Sequence, residues 1–98
     1  MKINKSLNGR SLTIALEGRL DTTTAPELEK VLKESMGGAD ELTLDFSKLE
    51  YISSAGLRVL LSAHKAMCAK DGMRVTNVNE VVQDVFEVTG FADILTIE

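Results

Sequence analysis

The sequence is poor in the residues from which sites are usually built. It has one cysteine, Cys68, one histidine, His64, and one proline, Pro26. A lone cysteine forms no internal disulfide, which points to a reducing, cytoplasmic setting. A single histidine on the apolar face of a helix makes the usual acid–base constellations hard to assemble, so no enzyme is expected. His64 and Cys68 stand four residues apart, but two ligands do not make a metal site. Cys68 reads more simply as a small core residue. There is no Walker-type phosphate loop and no G-x-S-x-G elbow. A basic excess is also missing. Eleven Lys and Arg stand against fifteen Asp and Glu, for a net charge of −4. That argues against nucleic acid and against anionic lipid as partners. No apolar run is long enough to cross a membrane, and no basic segment leads into an apolar one, so neither an anchor nor an export signal is expected. Repeats, low-complexity tracts and linkers are absent as well.

What is present suits one globular domain, residues 1–98. At 44% apolar and 27% charged residues the composition is that of a soluble fold. A chain of this size buries roughly two-thirds of its unfolded surface, enough for a core without staples.

Taken in order, Lys2 to Leu7 reads as an edge strand, and Asn8-Gly9 as a hairpin turn. Leu12, Ile14 and Leu16 then alternate with polar or small residues, in a strand expected to end at Gly18. Arg19 to Thr23 reads as a loop. Thr24-Ala-Pro-Glu27 has capping-box spacing with Pro26 in the first turn. Leu28, Val31 and Leu32 form one face of the next helix, which stops near Gly37-Gly38. A third strand is expected near Glu41 to Phe46 and a loop over Ser47 to Ser53. A central helix is expected from about Ser54 to Lys70. Met73, Val75 and Asn77 mark a fourth strand. Asn79 caps a third helix that Gly90 closes, and Ile94 to Ile97 reads as a last strand. The fold class is therefore α/β. An N-terminal β-hairpin leads into β-α-β-α-β-α repeats, and a mostly parallel mixed sheet packs against helices through right-handed crossovers. Sites in such sheets form where loops leave the carboxyl ends of the strands, which places Asp21, Ser54 and Asn77 on a common rim.

The chain is organised around Asp45 to Leu61, where strand spacing gives way to helix spacing. Leu42, Leu44 and Phe46 alternate, and then Leu57, Leu60, Leu61, His64 and Cys68 recur on one helical face. Ser53 and Ser54 sit at the junction, followed by Ala55 and Gly56. A serine there is a natural N-cap. Unpaired amides and the positive end of the helix dipole also suit a phosphate there. The residues alone leave three readings open: a cap, a phosphorylation site, or both.

The run Tyr51-Ile-Ser-Ser-Ala-Gly-Leu57 resembles the signature of the STAS domain family, in particular of bacterial anti-sigma factor antagonists. Leu16-Glu-Gly-Arg-Leu-Asp21 is similar to the family's second strand and following loop. Val85-Phe-Glu-Val-Thr-Gly-Phe91 is similar to its C-terminal helix end. The three matches span almost the whole chain in the family's order. They are specific jointly and weak singly.

The resemblance implies a phosphorylation-controlled binding module without cofactor or catalytic residues. Its partner would be an anti-sigma factor that is itself a serine kinase, and a PP2C-type phosphatase would reset it. Aligning Gly56-Leu57 with the family's Gly-Leu puts the phosphoacceptor at Ser54, with Ser53 as the alternative. The family often has aspartate where this chain has Ser53. The implied partner surface is Asp21, Thr22, Ser53, Ser54, Ala55, Gly56, Leu57 and Arg58. Asp21 would lie near the phosphoserine, where a carboxylate could orient its hydroxyl; a plain turn-former is the simpler role. Asp45, near the third strand's end, is a weaker candidate for the same site, with a structural hydrogen-bonding role weighing at least as much. Two other functions compete with this one: a non-phosphorylated STAS scaffold or small-ligand module in a signalling assembly, and a minimal α/β enzyme.

Overall fold

The computed structural model describes residues 1–98. Five strands form one sheet in the order β1-β2-β3-β4-β5. Strand β1 (Lys2–Asn8) turns at Gly9 and Arg10 into β2 (Ser11–Leu20), with Gly9 at φ +64°. These two are antiparallel, and every later pairing is parallel. Helix α1 (Ala25–Ser35) leads through a single 3-10 turn to β3 (Glu41–Ile52). Helix α2 (Ser54–Met67) leads to β4 (Gly72–Thr76). Helix α3 (Glu80–Thr89) and a second 3-10 turn (Phe91–Asp93) lead to β5 (Thr96–Ile97).

The sheet is one-sided. Strands β2 to β5 are added in sequence order, so right-handed crossovers put every connecting helix on the same face. The burial pattern agrees. Leu12, Leu42 and Met73 lie in register, as do Ile14, Leu44 and Val75, and all six are buried. The residues between them, including Thr13, Thr43 and Arg74, are only half-buried. Leu28 and Leu32 of α1, Leu60 and Met67 of α2, and Val82 and Phe86 of α3 complete a single core of 23 residues. No buried position is polar or charged. Each fully buried Leu, Ile or Phe contributes roughly 1.5–3 kcal/mol, so this one layer of contacts carries the fold.

Five boundaries differ from the sequence expectation. Two are small: β4 ends at Thr76, short of Asn77, and β5 begins at Thr96, not at Ile94, which caps the preceding 3-10 turn. Strand β3 continues through Ile52, where a loop was expected from Ser47. Its pairing with β2 shifts register twice, between Ala15/Glu17 and between Gly18/Arg19. Each shift places one extra β3 residue opposite β2. The buried positions therefore fall at Phe46, Leu49 and Ile52, a spacing of three that strand alternation does not show. Strand β2 likewise passes through Gly18, which takes φ +103° at the second irregularity, and ends at Leu20. Helix α2 stops at Met67 rather than Lys70. The Lys70 ammonium reaches back instead to the carbonyls of Met36 and Ala39, at 2.8 and 2.7 Å, and closes the end of the α1 connection.

Candidate functional site

The start of α2 is set by Ser53. Its backbone is extended (φ −100°, ψ 175°), and its hydroxyl accepts from the Gly56 amide at 3.4 Å. The Ser53 amide donates to the Leu20 carbonyl at 2.8 Å, the last bond joining the β3 end to β2. Ser53 is thus the N-cap and Ser54 the first helical residue. Of the two serines, the structure assigns the cap to Ser53. Ser53 uses its oxygen to hold the helix, while Ser54 stands exposed with its hydroxyl outside the cap.

Gly56 and Leu57 serve the site from beneath. A methyl group at Gly56 would lie 2.7 Å from Leu20 Cγ and 2.9 Å from Ile52 Cγ1. Glycine therefore lets α2 begin directly on the ends of β2 and β3. Gly56 is buried and Leu57 is 5% exposed. Both were expected on the partner surface. The structure turns both inward, buried against the core, where they position the helix.

Asp21 lies on the neighbouring strand end, one residue past the Leu20 carbonyl that holds Ser53. One of its oxygens, Oδ1, accepts from the Thr23 amide (3.0 Å), the Thr23 hydroxyl (2.7 Å) and the Thr24 amide (3.1 Å). These bonds, led by the Thr23 hydroxyl and the Thr24 amide, hold its carboxyl below the usual carboxylate range. The expected capping box at Thr24 does not form. The Thr24 hydroxyl turns back to accept from the Asp21 amide and donate to the Arg19 carbonyl, both at 2.8 Å, leaving no side-chain cap on α1. Asp21 takes over instead, because its position three residues before the N-cap residue Thr24 lets one oxygen collect the free amides of the turn.

Three expected contact residues, Thr22, Ala55 and Arg58, line one shallow cleft of about 260 Å³ between α1 and α2. Ala25, Pro26, Glu29, Val59 and Ser62 share it. The sequence reading missed these five, although Ser62 stands after Arg58 at helical spacing, as Glu29 does after Pro26. Thr22 and Arg58 are exposed and Ala55 is half-buried. Ser53 is half-buried beside them, so the accessible rim runs from Asp21 and Thr22 across Ser53, Ser54 and Ala55 to Arg58.

Asn77 does not join this rim. Its side-chain amide donates to Asp45 Oδ1 at 3.0 Å, while the Ser47 amide donates to the same oxygen. Those two bonds, Asn77 first, hold the Asp45 carboxyl low. Asp45 has the structural role expected of it. The common rim fails at Asn77 because β3 runs on from Asp45 to Ile52 before α2 begins. Asn77 is also the one non-glycine residue with positive φ, at +58°. Asn79 caps α3 as expected, accepting from the Val82 amide at 2.8 Å.

The largest cleft, about 470 Å³, lies where β3 and β4 begin, lined by Glu41, His64, Cys68, Arg74 and Glu98 among others. His64 is half-buried, its Nδ1 has no partner, and its Nε2 lies 3.5 Å from Cys68 Sγ. Cys68 is exposed, contrary to the core position expected, because α2 has ended at Met67 and the chain is already turning to solvent. No three potential metal ligands come together anywhere in the chain. No helix is long and apolar enough to cross a membrane.

These features are those of a one-sided α/β module with an accessible serine at the start of its central helix. The family model described as "Mlab, STAS domain" matches residues 3–96, and the chain belongs to the STAS domain family. Among its relatives, the "Putative anti-sigma factor antagonist BtrV" of Bordetella bronchiseptica is 33% identical over 99% of this chain and 85% of its own length. A solved anti-sigma factor antagonist from Mycobacterium paratuberculosis superposes with a TM-score of 0.89 at 20% identity, covering 98% of this chain and 83% of that one. SpoIIAA in its unphosphorylated form superposes at 0.85 and 17% identity, covering 99% and 88%. The phosphorylated form of Bacillus SpoIIAA superposes at 0.76. The expected fold, an α/β STAS-like domain with a mostly parallel mixed sheet, is the one observed.

Proposed function

We propose that this chain is an anti-sigma factor antagonist whose hold on its partner is set by phosphorylation of Ser54. The observation that carries the reading is the division of labour at α2. Ser53 supplies the cap, and Ser54 presents a free, exposed hydroxyl at the first helical position. The naming of BtrV supports the role, and a fold neighbour solved in phosphorylated and unphosphorylated forms supports the modification.

Unmodified, the rim of Asp21, Thr22, Ser54, Ala55 and Arg58 docks on an anti-sigma factor that is also a serine kinase, and the sigma factor is released. A phosphate on Ser54 adds about −1.5 to −2 charge and three strong acceptors. At the N-terminus of α2 this costs the fold nothing and stabilises it by a few tenths to about 1 kcal/mol. In a docked interface the same charge is desolvated. A loss there of about 2–5 kcal/mol weakens binding on the order of 30- to several-thousand-fold. A PP2C-type phosphatase restores the free hydroxyl, and the cycle runs in the cytoplasm.

Mass spectrometry after incubation with the anti-sigma kinase of the same cell and ATP tests the acceptor. Phosphate on Ser54 is expected, and phosphate elsewhere or nowhere refutes the switch. Calorimetric titration then compares the parent chain with Ser54→Asp, which folds normally and loses the partner; undiminished affinity refutes the mechanism. One observation favours a second reading. Ser53 stands where the family often has aspartate, which fits a non-phosphorylated STAS scaffold or ligand-binding module. That reading predicts partner binding insensitive to ATP.

A further inference from the structure

The chain's charge is divided along its length. All eleven Lys and Arg residues lie at or before Arg74. Residues 1–76 hold eleven basic and ten acidic residues, a net of +1, and residues 77–98 hold five acidic and no basic residues, a net of −5. The two sum to the whole −4. The acidic segment comprises α3 and the residues C-terminal to it.

Helix α3 also exposes apolar side chains. Val82 and Phe86 point into the core and are fully buried. Val81 is 54% exposed and Val88 87%. They stand seven residues apart and so share one face, and half-buried Val85 lies between them on the same stripe. Ile94, beyond the helix, is 45% exposed. Apart from Leu7 these are the only large apolar side chains so exposed. Acids run along one edge of the stripe, Glu80, Asp84 and Glu87 on the helix, and Asp93 follows in the chain. None of the four forms an ion pair, although six ion pairs form among the chain's other charges. Glu80 sits at the helix N-terminus, where the dipole favours it; Asp84 and Glu87 have no such support. An aliphatic row edged on one side by carboxylates without ion-pair partners is a surface whose complement is fixed by its charge.

We propose that the outer face of α3 docks a protein partner through a basic amphipathic helix, whose aliphatic row covers Val81, Val85 and Val88 and whose Lys or Arg side chains pair Asp84 and Glu87. Its unneutralised carboxylates repel anionic lipid and nucleic acid, which leaves a cationic protein surface as the occupant. The face is built of residues separate from the Ser54 rim, so engagement there does not depend on phosphorylation.

The test uses the full chain, isotopically labelled for NMR, titrated with a synthetic 18-residue helix carrying leucine on one face and lysine on the other. A second peptide, with glutamate in place of each lysine, is the control. Amide shifts are expected to move along α3 and at residues 91–94, with the lysine peptide alone. Val88→Lys, an exposed change that leaves the fold intact, is expected to weaken binding by about tenfold or more, and Asp84→Lys comparably. Raising the salt from 50 to 500 mM should weaken it further. Shifts spread over the whole surface, shifts centred on residues 53–58, or binding indifferent to Val88→Lys each overturn the proposal. So does concentration-dependent self-association in sedimentation that Val88→Lys abolishes, because the occupant is then a second copy of the chain.

Discussion

Gly56→Ala probes how closely the candidate site is joined to the core. The added methyl would meet Leu20 Cγ at 2.7 Å, Ile52 Cγ1 at 2.9 Å and Leu20 Cδ2 at 3.0 Å. Leu20 and Ile52 are both fully buried, so neither side chain has space to retreat into. Restoring ordinary contact at about 3.5 Å needs a shift of roughly half to one ångström, taken either by the strand ends or by the first turn of α2. Overpacking of this kind costs about 1–3 kcal/mol. Against it stands the gain of about 1 kcal/mol from replacing glycine by alanine inside a helix. The net expectation is a loss of up to about 2 kcal/mol. A domain of this size converts that to a fall in Tm of up to about 15 °C, at 4–8 °C per kcal/mol. Thermal melts followed by circular dichroism measure it. Gly37→Ala and Gly38→Ala are the controls, since a methyl group at either meets nothing within 4 Å. A Gly56→Ala protein that melts at or above the parent would refute the close-approach reasoning.

Ser53→Ala removes the α2 cap and should cost about 0.5–1 kcal/mol in urea unfolding, at the low end for a cap because the 3.4 Å bond is long. Ser54→Ala, which touches no cap, should leave stability within about 0.5 kcal/mol of the parent; equal losses at both would contradict the division between them. Asp21→Ala should lower stability through the lost turn bonds and slow phosphorylation of Ser54 without unfolding the chain, and unchanged kinetics in a timed kinase assay would remove it from the site. Asp45 is held low when folded, so its contribution is complete above the unfolded carboxylate pKa of about 4 and is lost as pH falls through the lower folded value. Asp45→Asn should therefore flatten the acid limb of a stability–pH profile between about pH 5 and 2 and leave its slope above pH 6 unchanged.

Much of this was legible in the sequence because local chemistry and global fold agree. The Asn79 cap and the Gly90 stop, at φ +83°, stand where their residue types place them, and the N-terminal hairpin forms with its turn one residue later than expected, at Gly9 and Arg10. The junction at Ser53-Ser54 was visible because strand spacing yields to helix spacing there. What was hidden depends on pairing between strands. Two extra residues in β3 break its alternation, so Ser47 to Ile52 looks like loop until β2 lies beside it. The tight seat of Gly56 likewise depends on Leu20 and Ile52, residues distant in sequence or on another element. Thr24 looked like a cap because spacing cannot show that the Arg19 carbonyl competes for its hydroxyl.

All three helices rest on one face of the sheet, and the molecule measures only 19 Å across its short axis. Such a slab has a single interior and no second compartment to fall back on. A helix that loosens exposes part of the shared apolar layer, and in a single domain of this size unfolding is expected to be cooperative. Whatever grips or releases the first turn of α2 therefore tugs on the entire domain, and chemistry at its rim should register as a change in the melting of the whole chain.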